Sequence, residues 1–336
     1  MDTLEIGLIG AGGMGKGHAE AVAQLTNARI AAVAEPDEQR GKPLAEQLGV
    51  PWYSDYHLLL EDQRITAISI ATPPFLHREI AEAAAAAGKH IFCEKPLAPT
   101  VADCEAILKA VSQTQAVFFT GQVLRYLSPF VKVREIVTSG GIGQPIGAFI
   151  ARLSGGRDTS FEVPWRKRLA LSGGLLMEVN AHELDLLRCL CGDAVSVYAE
   201  MDNFSHPEHD YCDLAFVSIR FQNGAIGSLY SSNTSALGGT NGTIQGSEGA
   251  VRYSGWGQRG TIEWKRYDAD RPTIIDLSTL KVPHGYVHEF ALFVQSVLEK
   301  TPPEITALDG LKAVELAEAA YTSGRARQPV IIPIRY

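Results

Sequence analysis

Cysteine is scarce in this chain, and long charged or apolar runs are missing. Five cysteines stand at positions 93, 104, 189, 191 and 212 of 336 residues. An odd count at irregular spacing does not make a disulfide framework, so reduced thiols are expected. Cys189 and Cys191 form a Cys-x-Cys pair, but no second pair follows at zinc-like spacing, and no metal is expected. Lys and Arg number 30 against 38 Asp and Glu, a formal net charge of −8. The densest basic cluster is the short Arg166-Lys167-Arg168. A phosphate-backbone binder needs a broad basic face, so nucleic acid and anionic membrane are not expected partners. No apolar run approaches the roughly 20 residues of a membrane span. No basic-then-apolar leader precedes the first glycine motif, and the expected location is the cytoplasm. The remaining composition, 46% hydrophobic and 20% charged, is that of a globular protein. At about 150 residues per domain the length predicts two domains.

Short apolar runs alternate with helical patterns through residue 122. The runs are 6–10, 30–34, 65–71, 90–93 and 116–120, and the helical patterns lie near 14–25, 37–48, 77–87 and 101–112. This alternation predicts βαβ units on a parallel sheet, with strands buried on both faces. Beyond residue 123 the pattern changes. Helices are predicted at 129–138, 174–191, 286–299 and 308–322, and strands through 194–280 with a short one at 330–333. Asn223-Gly224 between two apolar runs is a hairpin signal. The expected organisation is an α/β N-terminal domain over 1–122 and an α+β C-terminal domain over 123–336 with a mostly antiparallel sheet.

Gly10-Ala11-Gly12-Gly13-Met14-Gly15 fits G-x-G-x-x-G, directly after an apolar strand and at the start of a helix. That context predicts a dinucleotide-binding Rossmann turn. Gly10 permits the tight turn, Gly12 close approach of pyrophosphate, and Gly15 close helix–strand contact. Glu35 ends the second strand, where a carboxylate binds the ribose hydroxyls and repels a 2′-phosphate, so NAD is predicted over NADP. Arg40 is the counter-indication: it can accept that phosphate, or belong to the solvated helix surface of Asp37, Glu38 and Lys42.

Lys95 ends the fourth strand within Glu94-Lys95-Pro96, at the edge of an open sheet where ligands bind. Pro96 is a candidate for a cis bond. Glu178, His182 and Asp185 share a stripe of one predicted helix at 100° per residue. A carboxylate four residues from a histidine can orient it, or form a solvated ion pair at a helix edge. Gly173-Gly174 permits backbone approach to a ligand, and Trp165-Arg166 can stack on one or cap the turn. His206-Pro207-Glu208-His209 reads as a polar loop.

Together these motifs resemble the glucose–fructose oxidoreductase/inositol dehydrogenase/MocA (Gfo/Idh/MocA) family. The resemblance rests on the glycine turn with His18, Ala71-Thr72-Pro73-Pro74 with His77, Glu94-Lys95-Pro96, Arg125-Tyr126 with Pro129, and Gly140–Gly143. It continues through Trp165-Arg166, the block Gly173-Gly174-Leu175-Leu176-Met177-Glu178-Val179-Asn180-Ala181-His182, and Ala319-Ala320-Tyr321-Thr322-Ser323. It implies a Rossmann domain, a second domain with a large open sheet, and Lys95 and His182 as catalytic pair. Glu178 stands where the family often has Asp, and its role is either to contact ligand or to orient His182. Asn180 replaces a common Gly and is expected to narrow the pocket. The implied cofactor set is Gly10, Gly12, Gly13, Met14, Gly15, Glu35, Arg40, Thr72, Pro73, His77, Glu94, Lys95, Gln122, Trp165 and Arg166. Substrate-side candidates are Lys95, Arg125, Arg157, Trp165, Glu178, His182 and Tyr286.

The function expected is hydride transfer between NAD and a secondary alcohol of a sugar, sugar derivative or cyclitol. The alternatives are a non-catalytic NAD(P)-binding sensor on the same scaffold and a dehydrogenase of a non-sugar substrate. Residues 211–221 carry apolar side chains on both faces of one strand, so a homodimer or homotetramer formed through the C-terminal sheet is expected.

Overall fold

The apolar runs of the first third become buried strands, and the segments between them become helices. The computed structural model describes residues 3–154 and 163–334. Its first elements are β1 (Leu4–Ile9), α1 (Gly13–Val22), β2 (Ala28–Ala34), α2 (Glu38–Leu48), β3 (Trp52–Tyr53) and α3 (Tyr56–Glu61). Then come β4 (Ala67–Ile70), α4 (His77–Ala86), β5 (His90–Glu94), α5 (Val101–Ser112) and β6 (Phe118–Gly121). The strands form one parallel sheet in the order β3-β2-β1-β4-β5-β6. Every residue of β4 and β6 is buried, as expected of a sheet covered on both faces. The chain runs outward in both directions from β1, so the crevice of this doubly wound order opens beyond the carboxyl ends of β1 and β4. Local chemistry sets the helix ends. Asp37 accepts the Gln39 N–H at 3.0 Å to start α2, and Gly49 ends it in the left-handed region at φ 67°. Thr100 accepts the Asp103 N–H at 3.1 Å to start α5. β3 and α3 were not predicted; a two-residue strand carries no alternation to read.

The chain continues with α6 (Phe130–Thr138), β7 (Pro145–Leu153), α7 (Leu169–Ser172), α8 (Ala181–Cys191), β8 (Ala194–Asp202), β9 (Leu214–Phe221) and β10 (Ile226–Ser232). β11 (Gly239–Gly246), β12 (Gly249–Trp256), β13 (Arg259–Arg266), β14 (Thr273–Asp276), α9 (Gly285–Glu299), α10 (Ala307–Ala326) and β15 (Val330–Ile331) complete it. The second sheet has nine strands in the order β14-β13-β12-β11-β7-β10-β9-β8-β15. All pairs are antiparallel except β7 with β10. β7, at its centre, was not predicted, because Gly147, Ala148 and Ala151 dilute its apolar alternation. α8 covers one face, over β7 and β10. On β9, Ala215, Val217, Ile219 and Phe221 lie on that covered face and are at most 1% exposed. The opposite face is open in the single chain: Phe216 is 53% exposed and stacks on Tyr230 with centroids 4.3 Å apart.

Contacts divide the chain into two units, Met1–Val123 with Pro283–Leu311, and Leu124–Val282 with Lys312–Tyr336. The single boundary near residue 122 read from the sequence puts 283–311 in the second domain. The structure groups that segment with the first unit. Phe290 of α9 stacks on Phe92 at 4.3 Å, and Phe293 meets Phe92 and Phe119 edge-on. Helical periodicity shows that α9 has an apolar face, but not which core that face joins. Among the described residues, no helix is long and apolar enough to cross a membrane.

Candidate active site

In the first unit the glycine turn joins β1 to α1. Gly10 holds φ +101°, and a Cβ there would stand 2.6 Å from the Ala71 carbonyl oxygen. A Cβ on Gly15 would stand 2.0 Å from the Gly10 carbonyl oxygen, so only glycine lets α1 approach this closely. Gly12 and Gly13 differ from both, because a Cβ on either meets nothing within 4 Å. Their bare backbone faces open space at the N-terminus of α1, a cradle that fits a pyrophosphate. The Thr72 hydroxyl, after β4, is buried with no hydrogen-bond partner among the described residues. Glu35 is 5% exposed at the foot of the cradle. Its Oε2 accepts the Ala11 N–H at 2.9 Å, and its Oε1 accepts from Asp37 N–H at 3.1 Å and Arg40 Nη2 at 3.0 Å. Arg40 also pairs with Asp37 at 3.0 Å. Its cation is thus shared between two carboxylates. These residues fit NAD: an unfilled backbone cradle, an orphaned hydroxyl and a carboxylate set for ribose hydroxyls.

β5 carries Glu94 to the same end of the sheet. Glu94 is 5% exposed, and its Oε2 accepts the Lys95 N–H at 3.0 Å. The Lys95–Pro96 peptide is cis. His77, expected in the cofactor set, is wholly buried; its ring nitrogens lie 3.0 Å from the Pro96 carbonyl and 2.9 Å from the Thr72 carbonyl. Burial pushes its imidazole below the ordinary value, against hydrogen bonds that favour the charged form. His77 therefore braces the backbone on either side of the site through both ring nitrogens. Gln122 follows β6 and is 1% exposed. Tyr286, expected on the substrate side, belongs to α9 in the first unit, with its hydroxyl 3.9 Å from Met14 Sδ of the glycine turn.

In the second unit the predicted helix 174–191 is broken. Leu175–Val179 forms a π turn, Asn180 interrupts it, and α8 begins at Ala181. Gly173 and Gly174 both take positive φ, and a Cβ on Gly174 would stand 2.6 Å from the Tyr321 hydroxyl. That hydroxyl accepts the Leu176 N–H at 2.9 Å and fixes the start of the turn. Asn180 is fully buried: it accepts from Ser231 Oγ at 2.6 Å and donates to Glu183 at 3.1 Å. It therefore anchors the helix break to β10 and does not narrow a pocket. The 100° spacing that aligned Glu178, His182 and Asp185 does not cross this break, and the three serve different surroundings. Glu178 pairs with Arg166 at 3.0 Å, and Arg166 lies over the Trp165 ring at 5.0 Å. Asp185 receives both Arg125 Nε and Nη2 at 2.6 Å, in a pair whose side chains are 1% and 7% exposed. That bidentate pair gives Arg125 a structural task. His182 is 8% exposed in the first turn of α8. Arg157 lies outside the described residues. The 206–209 loop is held by Asp213, which faces His206 Nδ1 at 3.1 Å and accepts the Ser205 N–H at 2.7 Å. Sequence reasoning did not single out Asp213 as a loop anchor, since a buried polar residue in a loop leaves no periodic trace.

Residues 4–122 match the oxidoreductase family with an NAD-binding Rossmann fold, and residues 130–252 match the GFO/IDH/MocA C-terminal domain. The chain is 31% identical over 339 residues to the inositol 2-dehydrogenase of Rhizobium meliloti, covering 98% of this chain and 99% of that protein. It is 29% identical over 327 residues to the myo-inositol 2-dehydrogenase of Thermotoga maritima, covering 95% and 96%. The structure of a levoglucosan dehydrogenase in complex with NADH superposes with a TM-score of 0.90 at 25% identity, over 99% of this chain and 100% of that one. The chain belongs to the Gfo/Idh/MocA family of oxidoreductases, with NAD as its cofactor.

Proposed function

We propose that this NAD-dependent dehydrogenase oxidises a secondary alcohol of a cyclitol, sugar or sugar derivative to the ketone. The observation that carries this reading is Lys95 and His182, both present at their motif positions in a chain that aligns end to end with inositol dehydrogenases. NAD, when bound, supplies the carbon that accepts the hydride. His182 takes the hydroxyl proton as general base and returns it in the reverse direction. Lys95, as a cation, stabilises the alkoxide that develops as the proton leaves. Glu178 holds Arg166 beside Trp165, giving a charged and aromatic edge suited to a polyol ring. The glycine turn, Glu35 and Thr72 bind the dinucleotide. A second copy of the chain covers the open sheet face around Phe216 and Tyr230. The protein works in the cytoplasm, where its five free cysteines stay reduced. The test is NADH formation from NAD across a panel that includes myo-inositol, scyllo-inositol, levoglucosan and common aldoses. Turnover of one or more polyols supports the proposal. Binding of NAD without turnover of any of them contradicts it.

A further inference from the structure

His18 is singled out by the sequence, three residues past Gly15, and the proposed chemistry leaves it unused. It lies on α1 and has no exposed surface. Its Nε2 is 2.9 Å from Glu94 Oε1 at the end of β5, and its Nδ1 is 2.8 Å from Ser69 Oγ in β4. Phe92 and Phe290 meet the imidazole edge-on at 5.4 and 5.0 Å, and Tyr286 lies at 6.1 Å. The ring is thus held in place by packing as well as by hydrogen bonds.

An ionised carboxylate can only accept, so Nε2 carries the proton and donates to Glu94. The Ser69 hydroxyl completes the other side. The second Glu94 oxygen accepts the Lys95 N–H at 3.0 Å. A continuous chain therefore runs from His18 through the Glu94 carboxylate to the backbone that carries Lys95. Burial alone would raise the Glu94 carboxyl; the hydrogen bond and electrostatic interaction with His18, together with the Lys95 ammonium and N–H, outweigh it and hold it below its ordinary value. Glu94 also faces His77 from α4, Cys93 on its own strand and Tyr286 from α9.

We propose that His18 is a positioning residue for Lys95, acting through the Glu94 carboxylate. The inference rests on the reading of Lys95 as a catalytic cation. A buried carboxylate fixed on one side by an imidazole holds the Lys95 turn in a single place. Without that donor the carboxylate relaxes, and the lysine ammonium samples a wider volume. A displacement of about 1 Å in reacting geometry costs about 10²-fold in rate. Because His18 reaches no surface, the loss should fall on kcat and not on binding.

The test compares His18→Gln with His18→Asn. The glutamine amide extends to the Nε2 position and can still donate to Glu94, whereas the shorter asparagine reaches only toward Ser69. Two readouts are used: kcat and KM with NAD and myo-inositol, and the line width of ¹³C-dimethylated Lys95 by NMR, assigned by its loss in Lys95→Met. The expected result is a kcat about 10²-fold lower in His18→Asn and largely recovered in His18→Gln. KM and NAD affinity should stay within about threefold, and the Lys95 resonance should change only in His18→Asn. Equal kcat and equal Lys95 resonances in the two variants overturn the proposal. Near-native turnover in Lys95→Met overturns the reading of Lys95 itself, and this proposal with it. Lost turnover in Lys95→Met beside native behaviour in His18→Asn overturns the positioning role alone.

Discussion

The Arg40 guanidinium, in the first turns of α2, donates to Glu35 Oε1 at 3.0 Å, just past the end of β2. Arg40 is therefore engaged by both Glu35 and Asp37. Native enzyme is expected to prefer NAD over NADP. Glu35→Ser removes a charged acceptor of ribose hydroxyls and releases Arg40 toward a 2′-phosphate. The preference should then shift toward NADP by about 1–3 kcal/mol, the scale of a charged hydrogen bond. The ratio of kcat/KM for the two cofactors measures it, and a native preference for NADP contradicts the assignment.

Two glycines of the same turn should respond differently to one methyl group. Gly12→Ala meets open space, so its thermal midpoint should stay native while NAD affinity falls. Gly15→Ala drives a Cβ against the Gly10 carbonyl and should lower both stability and affinity. Thermal melts with and without NAD separate the cases. Native NAD affinity in Gly12→Ala would show that the open cradle is not the pyrophosphate site.

The Arg125–Asp185 pair is buried and bidentate. Asp185→Ala takes the bidentate carboxylate from a buried guanidinium and should cost about 3–5 kcal/mol of stability. The double change Arg125→Met with Asp185→Leu removes both charges and should restore much of that loss. If Arg125 is structural, the double variant keeps native KM for its substrate. A large rise in KM in a stable double variant would return Arg125 to the substrate side.

Much of this was legible beforehand, for specific reasons. β1, the glycine turn and Glu35 announce themselves because their chemistry is local: a strand, a tight turn and a carboxylate at a fixed distance. The break at Asn180 was not legible. It depends on Ser231 meeting Asn180 and on the Tyr321 hydroxyl meeting Leu176, contacts between residues far apart in sequence. The partners of Glu178 and Asp185 were hidden for the same reason. Helical spacing placed them on one face, and long-range ion pairs to Arg166 and Arg125 drew them to different tasks.

The open face of the nine-stranded sheet presents Phe216 at 53% exposure, with Ile226 at 52% and Phe149 at 39%. Apolar groups gathered on one sheet face mark an interface. Light scattering at micromolar concentration should report a dimer or tetramer. Phe216→Glu places a charge beside Tyr230 and should shift the protein toward monomer with its fold intact. A native monomer at that concentration contradicts this use of the sheet.

The most direct test of the account is the turnover of His182→Ala with NAD and the first polyol that the native enzyme oxidises. Loss of a general base lowers kcat by roughly 10²–10⁴. The account predicts a fall in that range, with NAD affinity unchanged because the glycine turn and Glu35 hold the dinucleotide. It also predicts that the rise of kcat/KM with pH in the oxidative direction disappears from the variant. Near-native turnover in His182→Ala, with the pH profile intact, would contradict the account and pass the proton to Lys95.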